Sequence, residues 1–146
     1  MRHILKASSF GEKRLQALEK IGFFKGDKNS NKSIWIHAVS VGEVNVALKL
    51  IQDLEGILEN PNFILSTTTL TGARKAKENL NKNSIHVYFP FDLKFICKKF
   101  INFYNPSILL LVETEIWPNL INASNELKLP VVLVNGRLSK KSLKKY

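Results

Sequence analysis

The sequence has little of what would place it in several common classes of protein. It has one cysteine, Cys97, in 146 residues, which excludes a scaffold held together by internal disulfides. Its longest uninterrupted apolar run has five members, whereas a membrane-spanning helix needs roughly 18. The first residues, MRHILK, lack the apolar stretch of a signal peptide. Because 45% of the residues are hydrophobic, the chain is too apolar for a disordered protein, and we expect one globular, cytoplasmic domain.

Negative charge is also scarce, and its distribution divides the chain. The 22 Lys and Arg residues exceed the 12 Asp and Glu residues, for a net charge of +10. Residues 1–33 hold eight basic and three acidic residues, residues 137–146 hold five basic and no acidic residues, and residues 34–136 are neutral. We therefore predict a basic N-terminal segment, a patterned domain and a basic C-terminal end with these bounds. Such a surface attracts phosphates of nucleic acid, anionic lipid or a phosphorylated substrate; the alternative is two partly disordered ends that only aid solubility.

The neutral region alternates between short apolar runs rich in β-formers and segments with apolar residues at helical spacing. The strands are predicted at 34–39, 63–65, 85–89, 108–112 and 131–134, and the helices at 44–58, 73–80, 93–103 and 118–127. Strands that alternate with helices imply right-handed crossovers, and therefore a Rossmann-like parallel sheet with helices on both faces.

Polar residues collect where the predicted strands end. In open α/β sheets ligands bind outside the carboxyl ends of the strands, and the strand-to-helix segments there hold three carboxylates after the first and fourth strands, two arginines and many hydroxyl and amide groups. The residues of interest at this edge are Ser40, Gly42, Glu43, Thr71, Gly72, Arg74, Glu113, Glu115, Asn135 and Arg137. The sequence therefore predicts a carboxylate-containing, anion-binding edge.

Two interpretations stand for the first of these segments. Ser40 and Glu43 have the Ser-x-x-Glu spacing of a capping box, in which each side chain binds a backbone N–H of the first helical turn. Alternatively, Glu43 beside Gly42 takes a proton from a substrate hydroxyl.

Other residues at the edge have ordinary structural explanations. The segment from Thr67 to Arg74 either caps a helix or offers hydroxyls, N–H groups and a guanidinium to a phosphate or sugar. Asp92 is a candidate cap for the helix that follows it, and Cys97 a partly buried, inert thiol. No spacing of His, Cys, Asp or Glu indicates a metal site, and we expect no cofactor.

Four segments together resemble a known family. They are HAVSVGE (37–43), YFPFD (88–92), ETEIWPN (113–119) and NGRLS (135–139). Their order and spacing are similar to those of 3-deoxy-D-manno-octulosonic acid (Kdo) transferases, the glycosyltransferases that build the inner core of lipopolysaccharide. The resemblance covers residues 34–142 and implies the N-terminal, acceptor-side half of an enzyme of the two-domain GT-B type.

The resemblance also implies a reaction and a location. Such enzymes transfer Kdo with inversion from CMP-Kdo to a lipid A precursor at the cytoplasmic face of the bacterial inner membrane. Glu43 matches the general base that deprotonates the acceptor hydroxyl, and Glu113 matches a position that stabilises the transition state. Substrate contacts are expected from the other residues of the edge, including Thr71, Arg74 and Arg137. Anionic membrane lipid is an expected partner and nucleic acid is not.

Because the CMP-binding domain of such enzymes follows this one, we expect these 146 residues alone not to catalyse transfer.

Two other classes of protein stay open from the sequence. One is a small α/β module that binds phosphate or Mg²⁺, for which Glu113 and Glu115 supply an acidic pocket. The other is a basic nucleic-acid-binding domain, although no helix-turn-helix, zinc-finger or stacking pattern is present.

Overall fold

The computed structural model describes residues 2–24, 32–113 and 116–136, with side chains from residue 10 onward. Helices and strands alternate along the described residues. The helices are α1 (Arg2–Lys20), α2 (Val41–Glu55), α3 (Leu70–Asn79), α4 (Lys94–Tyr104) and α5 (Pro118–Glu126). The strands are β1 (Ser33–His37), β2 (Phe63–Thr67), β3 (Ser84–Tyr88), β4 (Pro106–Val112) and β5 (Val131–Val134).

The five strands form one parallel sheet in the order β3-β2-β1-β4-β5. The chain moves outward from β1 to β3, returns to pair β4 with β1, and continues to β5, so the order reverses beside β1. This is the doubly wound arrangement of Rossmann-like domains, in which ligands bind at the point of reversal. The predicted α/β class and parallel sheet are confirmed.

Alternate residues of the strands pack against helices on opposite faces of the sheet. On one face, Trp35 packs against Phe100 of α4 with ring centroids 4.4 Å apart, and Leu120 of α5 joins the same cluster. On the other face, Ile36 packs with Val44 of α2, in a cluster that also includes residues of α3. Because both faces are covered, the central strands are apolar almost throughout, as parallel sheets require.

The first helix has no counterpart among the elements predicted from the sequence. It lies along the edge strand β3, where Tyr88 N–H donates to Glu19 Oε2 (2.6 Å) and Phe91 N–H donates to Lys20 O (2.9 Å). Glu19 is only 4% exposed. The end of the helix thus satisfies a backbone N–H at the carboxyl end of an edge strand, where another chain could otherwise pair.

Two helices begin three residues earlier than the apolar spacing predicts, at Val41 and at Leu70. Spacing detects the first buried residue, whereas a helix begins at its cap. Ser40 is the N-cap of α2 and Thr69 is the N-cap of α3. The predicted turn from Ser66 to Arg74 is therefore mostly the start of α3.

Candidate functional site

The carboxylate of Glu43 is fixed at the start of α2, directly beyond the carboxyl end of β1. Its Oε2 accepts from Val39 N–H (2.8 Å) and its Oε1 from Ser40 N–H (3.3 Å), while Glu43 N–H donates to Ser40 Oγ (3.2 Å). The capping box predicted from the sequence is therefore present. Glu43 is only 6% exposed.

The cap leaves room for chemistry at the same carboxylate. Each carboxylate oxygen has two acceptor positions, and each oxygen of Glu43 uses one for a backbone N–H. Beside it, a Cβ built on Gly42 would meet only Ser40 Oγ, at 3.7 Å, so the space above this turn is open. The side chain is thus rigidly oriented and able to accept a further hydrogen bond from a hydroxyl group.

The start of α3 lies against the start of α2. Thr69 Oγ1 accepts from Gly72 N–H (3.1 Å) and Thr71 Oγ1 donates to Thr69 Oγ1 (3.4 Å). Gly72 is required here, because an added Cβ would lie 2.9 Å from Thr69 Oγ1 and 3.5 Å from a methyl of Val44. The hydroxyl of Thr68 reaches Val39 O, at 3.5 Å. The structure therefore brings Thr71 and Gly72 to the same edge as Glu43.

Arg74 makes a contact that the sequence did not predict. Its Nε lies 3.5 Å from Oε2 of Glu12 on α1, and the side chain is 56% exposed. An exposed pair of this kind contributes only about 0–1 kcal/mol. The guanidinium is consequently held near the edge by a weak bond that an anionic ligand can displace, and its role in binding stays a prediction.

Glu113 occupies a strained position at the end of β4. Its φ is +61°, in the left-handed region, and its N–H donates to Val134 O of β5 (2.8 Å). A glutamate in this region costs of order 1–3 kcal/mol, and such residues often mark functional sites, although Lys128 in an ordinary turn shares the conformation. Asn135, also left-handed, follows β5 beside it.

The register of the sheet brings the two predicted catalytic carboxylates into adjacent segments. His37 of β1 pairs with Leu111 of β4. Two residues further along each segment are Val39, whose N–H binds Glu43, and Glu113. Glu115 and Arg137 lie outside the described residues, so their placement at this edge stays a prediction.

Asp92 caps a different helix from the one expected. Leu93 is the N-cap of α4 and makes no side-chain cap. Asp92 Oδ1 instead accepts from Leu120 N–H (2.8 Å), Oδ2 accepts from Asn119 N–H (3.2 Å), and Asn119 Nδ2 donates to Asp92 O (2.7 Å). The prediction of a local cap is wrong, because Asp92 caps α5. The N-cap residue of α5 is Trp117, which makes no side-chain cap of its own. This bond ties the segment after β3 to the segment that follows Glu113.

A buried polar group lies beneath the edge. The Ser66 hydroxyl oxygen accepts from Trp35 Nε1 (2.8 Å) and lies 2.9 Å from His37 Nδ1. Burial lowers the pKa of His37 to about 3, so its ring is neutral at physiological pH. Its Nε2 has no hydrogen-bond partner among the described residues. Burial also raises the pKa of the Cys97 thiol to about 12, as expected for an inert cysteine.

Sequence reasoning missed the part of the edge that comes from outside the neutral region. Lys20, at the end of α1, borders the same cavity as Asp92 and Trp117. The described residues contain no cluster of three or more His, Cys, Asp or Glu side chains able to hold a metal ion. They also include no helix both long and apolar enough to cross a membrane.

Fold and site together define a class of protein. It is a Rossmann-like α/β domain with a carboxylate that is oriented by a helix cap and lies where the strand order reverses. Comparison with known proteins identifies the family. Residues 7–146 match the family described as 3-deoxy-D-manno-octulosonic-acid transferase (kdotransferase). The chain therefore belongs to the Kdo transferase family, as its four motifs indicated.

Individual relatives agree with this assignment. A 3-deoxy-D-manno-octulosonic acid transferase of Haemophilus influenzae is 36% identical over 91% of this chain and 31% of the relative. A bifunctional glycosyltransferase/methyltransferase of Fusobacterium nucleatum is 41% identical over 82% of this chain and 19% of the relative. A probable mitochondrial transferase of the same name from Arabidopsis thaliana is 30% identical over 88% and 29%. The chain thus spans about a third or less of the length of these curated relatives.

Proposed function

We propose that this domain supplies the acceptor side of a Kdo transferase that moves Kdo from CMP-Kdo to a lipid A precursor. The observation that carries the proposal is the carboxylate of Glu43. It is oriented by two backbone N–H groups beside an open glycine, at the reversal point of a sheet of the matching family. Membership of the family and the 30–36% identity to named transferases support it.

The proposed mechanism uses the two carboxylates in different roles. Glu43 accepts the proton of the acceptor hydroxyl as its oxygen attacks the anomeric carbon of Kdo. The bond from that carbon to the CMP phosphate breaks, and the phosphate leaves with the electron pair. Glu113 stabilises the positive charge that develops on the sugar in the transition state. Ser40, Gly42, Thr71, Gly72, Arg74, Glu115, Asn135 and Arg137 are proposed to contact substrate.

The test is transfer by a polypeptide that joins this domain to the remainder of a Kdo transferase. CMP-Kdo and a lipid A precursor are supplied, and the Kdo-bearing product is measured by mass spectrometry. We expect product from the wild-type domain and none above background from Glu43→Gln. As a matched control, Glu78→Gln removes an exposed carboxylate from α3 and is expected to keep full activity. Absence of product from a folded wild-type polypeptide would refute the proposal.

We also propose that the domain binds the anionic cytoplasmic face of the membrane that holds the acceptor. An apolar-basic surface, consisting of residues 20–23 and 91–99, adjoins the edge of the site. Its exposed apolar side chains are Ile21, Phe23, Phe91, Leu93 and Phe95. Lys99 Nζ lies 5.4 Å from the ring centre of Phe23, which joins the two segments. Exposed aromatic rings among lysines are typical of proteins that bind anionic lipid surfaces.

Sedimentation with vesicles containing anionic phospholipid tests this surface. Insertion of two phenylalanines into the interface contributes of order 1 kcal/mol each, so Phe23→Ser with Phe95→Ser is expected to weaken binding at least tenfold. The control is Ile57→Ser, which removes a side chain that is 78% exposed and follows α2, away from the carboxyl ends of the strands. Equal binding by both variants would contradict this location.

A further inference from the structure

A cavity of about 180 Å³ lies at the same edge of the sheet, between the end of α1 and the segment after β3. Lys20, Thr68, Phe89, Phe91, Asp92 and Trp117 line it. These residues come from four separate parts of the chain that meet at the carboxyl ends of β2, β3 and β4. A mostly apolar cavity with a few polar groups is the usual form of a small-ligand site.

The backbone of the lysine at this cavity is anchored, and its ammonium group has no carboxylate partner among the described residues. Lys20 O accepts from Phe91 N–H (2.9 Å), and its neighbour Glu19 accepts from Tyr88 N–H (2.6 Å), so the end of α1 is anchored at the cavity. Within the described part of the chain, no carboxylate lies within ion-pair distance of the Lys20 ammonium group. The ammonium is therefore available to an anion.

One further donor and one carboxylate border the cavity. The hydroxyl of Thr68 makes only a long contact of 3.5 Å with Val39 O, so it can donate to a ligand. The indole ring of Trp117 lines the cavity, but its Nε1, which has no hydrogen-bond partner among the described residues, is buried and does not offer its N–H to a ligand. The carboxylate of Asp92 would repel an anion, but Oδ1 and Oδ2 both accept backbone N–H groups of α5. The N-terminus of α5 thus offsets the negative charge of Asp92. The positive charge of Lys20 therefore gives the cavity a preference for anions.

The cavity is joined to Glu43 by a short series of contacts. Thr68, which lines it, contacts Val39 O at 3.5 Å, and Val39 N–H donates to Glu43 Oε2 at 2.8 Å. One residue, Val39, therefore separates the cavity from the proposed base. A single ligand can therefore place one group in the cavity and direct a hydroxyl to Glu43 only if it extends over this turn.

We propose that this cavity binds the phosphate group of a phosphorylated sugar, with Lys20 as its cation and Phe91 as an apolar platform for the sugar. The proposal rests on the proposed function for its biological role, since it assigns the bound group to the acceptor. Phosphate is favoured over a neutral group because the free polar groups are an ammonium and a hydroxyl, both of which donate hydrogen bonds.

The test uses the two tryptophan indole N–H resonances of the ¹⁵N-labelled 146-residue chain. Trp117 lines the cavity, whereas the Trp35 indole is bonded to Ser66 in the core, so Trp35 serves as an internal reference that also reports folding. Glucosamine 1-phosphate, inorganic phosphate and glucosamine are titrated separately. We expect a saturable shift of the Trp117 resonance, tightest with glucosamine 1-phosphate and absent with glucosamine, while the Trp35 resonance stays fixed.

Matched variants distinguish specific binding in the cavity from a general attraction of anions to a basic chain. Lys20→Gln is expected to weaken binding of glucosamine 1-phosphate at least tenfold, and Thr68→Val about threefold. Lys82→Gln removes the same charge from the exposed turn before β3 and should leave binding unchanged. Equal loss in the Lys20 and Lys82 variants, or an equal response to glucosamine, would overturn the anion site. Equal affinity for inorganic phosphate would overturn the sugar platform. None of these readouts requires transfer, so they stand even if the proposed function fails.

Discussion

Replacement of Glu43 by Gln separates the two roles that the structure allows for this residue. Gln keeps one oxygen, which can still accept from Val39 N–H, but its amide NH₂ would face the Ser40 N–H that Oε1 now accepts at 3.3 Å. One bond to a charged acceptor is lost, which costs about 1–2 kcal/mol. For a domain of this size Tm falls by about 4 °C per kcal/mol, so we expect a decrease of about 4–8 °C.

The loss of activity should be far larger than this loss of stability explains. Removal of a general base lowers turnover by about 10²–10⁴-fold, measured as Kdo transfer by the joined polypeptide at a temperature well below both values of Tm. Ile51→Val is the control, because Ile51 is buried in the same helix, distant from the edge. It should cost about 1 kcal/mol and leave transfer intact.

Two results would refute the reasoning. If Glu43→Gln keeps more than a tenth of the wild-type activity, Glu43 is only a cap and another group accepts the proton. If Ile51→Val loses activity in proportion to its own decrease in Tm, the loss in Glu43→Gln reflects stability rather than chemistry.

Two further predictions concern stability. Burial lowers the pKa of His37 and of His86 to about 3, with repulsion from a nearby lysine adding to the shift at His86. Both rings are neutral when folded but take up protons on unfolding below pH 6.5, so stability is full above that pH and falls as pH drops toward 3. Urea unfolding should show a decrease of roughly 2 kcal/mol per histidine between pH 7 and pH 5; His86→Gln should halve it, and a flat profile would contradict it. Asp92→Ala should cost about 2 kcal/mol because two N–H groups of α5 lose their acceptor, whereas removal of the exposed Asp53 should change little; equal effects would show that the cap is unimportant.

The sequence carried enough information to predict the sheet and the family. Strands β1 to β5 were found because their apolar runs are short and flanked by turn-forming residues, and β5 has the predicted bounds. Helix starts were less accurate, since Val41 and Leu70 begin helices through caps that precede the buried residues. The capping box at Glu43 was predictable because both of its members lie within four residues of each other.

Contacts between distant residues could not be predicted in this way. Asp92 caps a helix that begins 26 residues later, and the preference for α5 over α4 depends on how the two segments pack. Glu19 lies 69 residues from the Tyr88 N–H that it accepts. No local sequence pattern encodes such pairings, because they depend on which distant segments the tertiary structure brings together.

The net charge shows the same division between sequence and structure. From the sequence alone, the basic residues of 1–33 belonged to a segment outside the patterned domain, and their purpose was open between solubility and anion binding. The fold places α1 along β3 and Lys20 at the cavity beside the proposed base. Local chemistry determined the elements and the capped carboxylate, whereas only the tertiary structure decided which charges face the site, because the parallel sheet gathers the ends of distant strands at one edge.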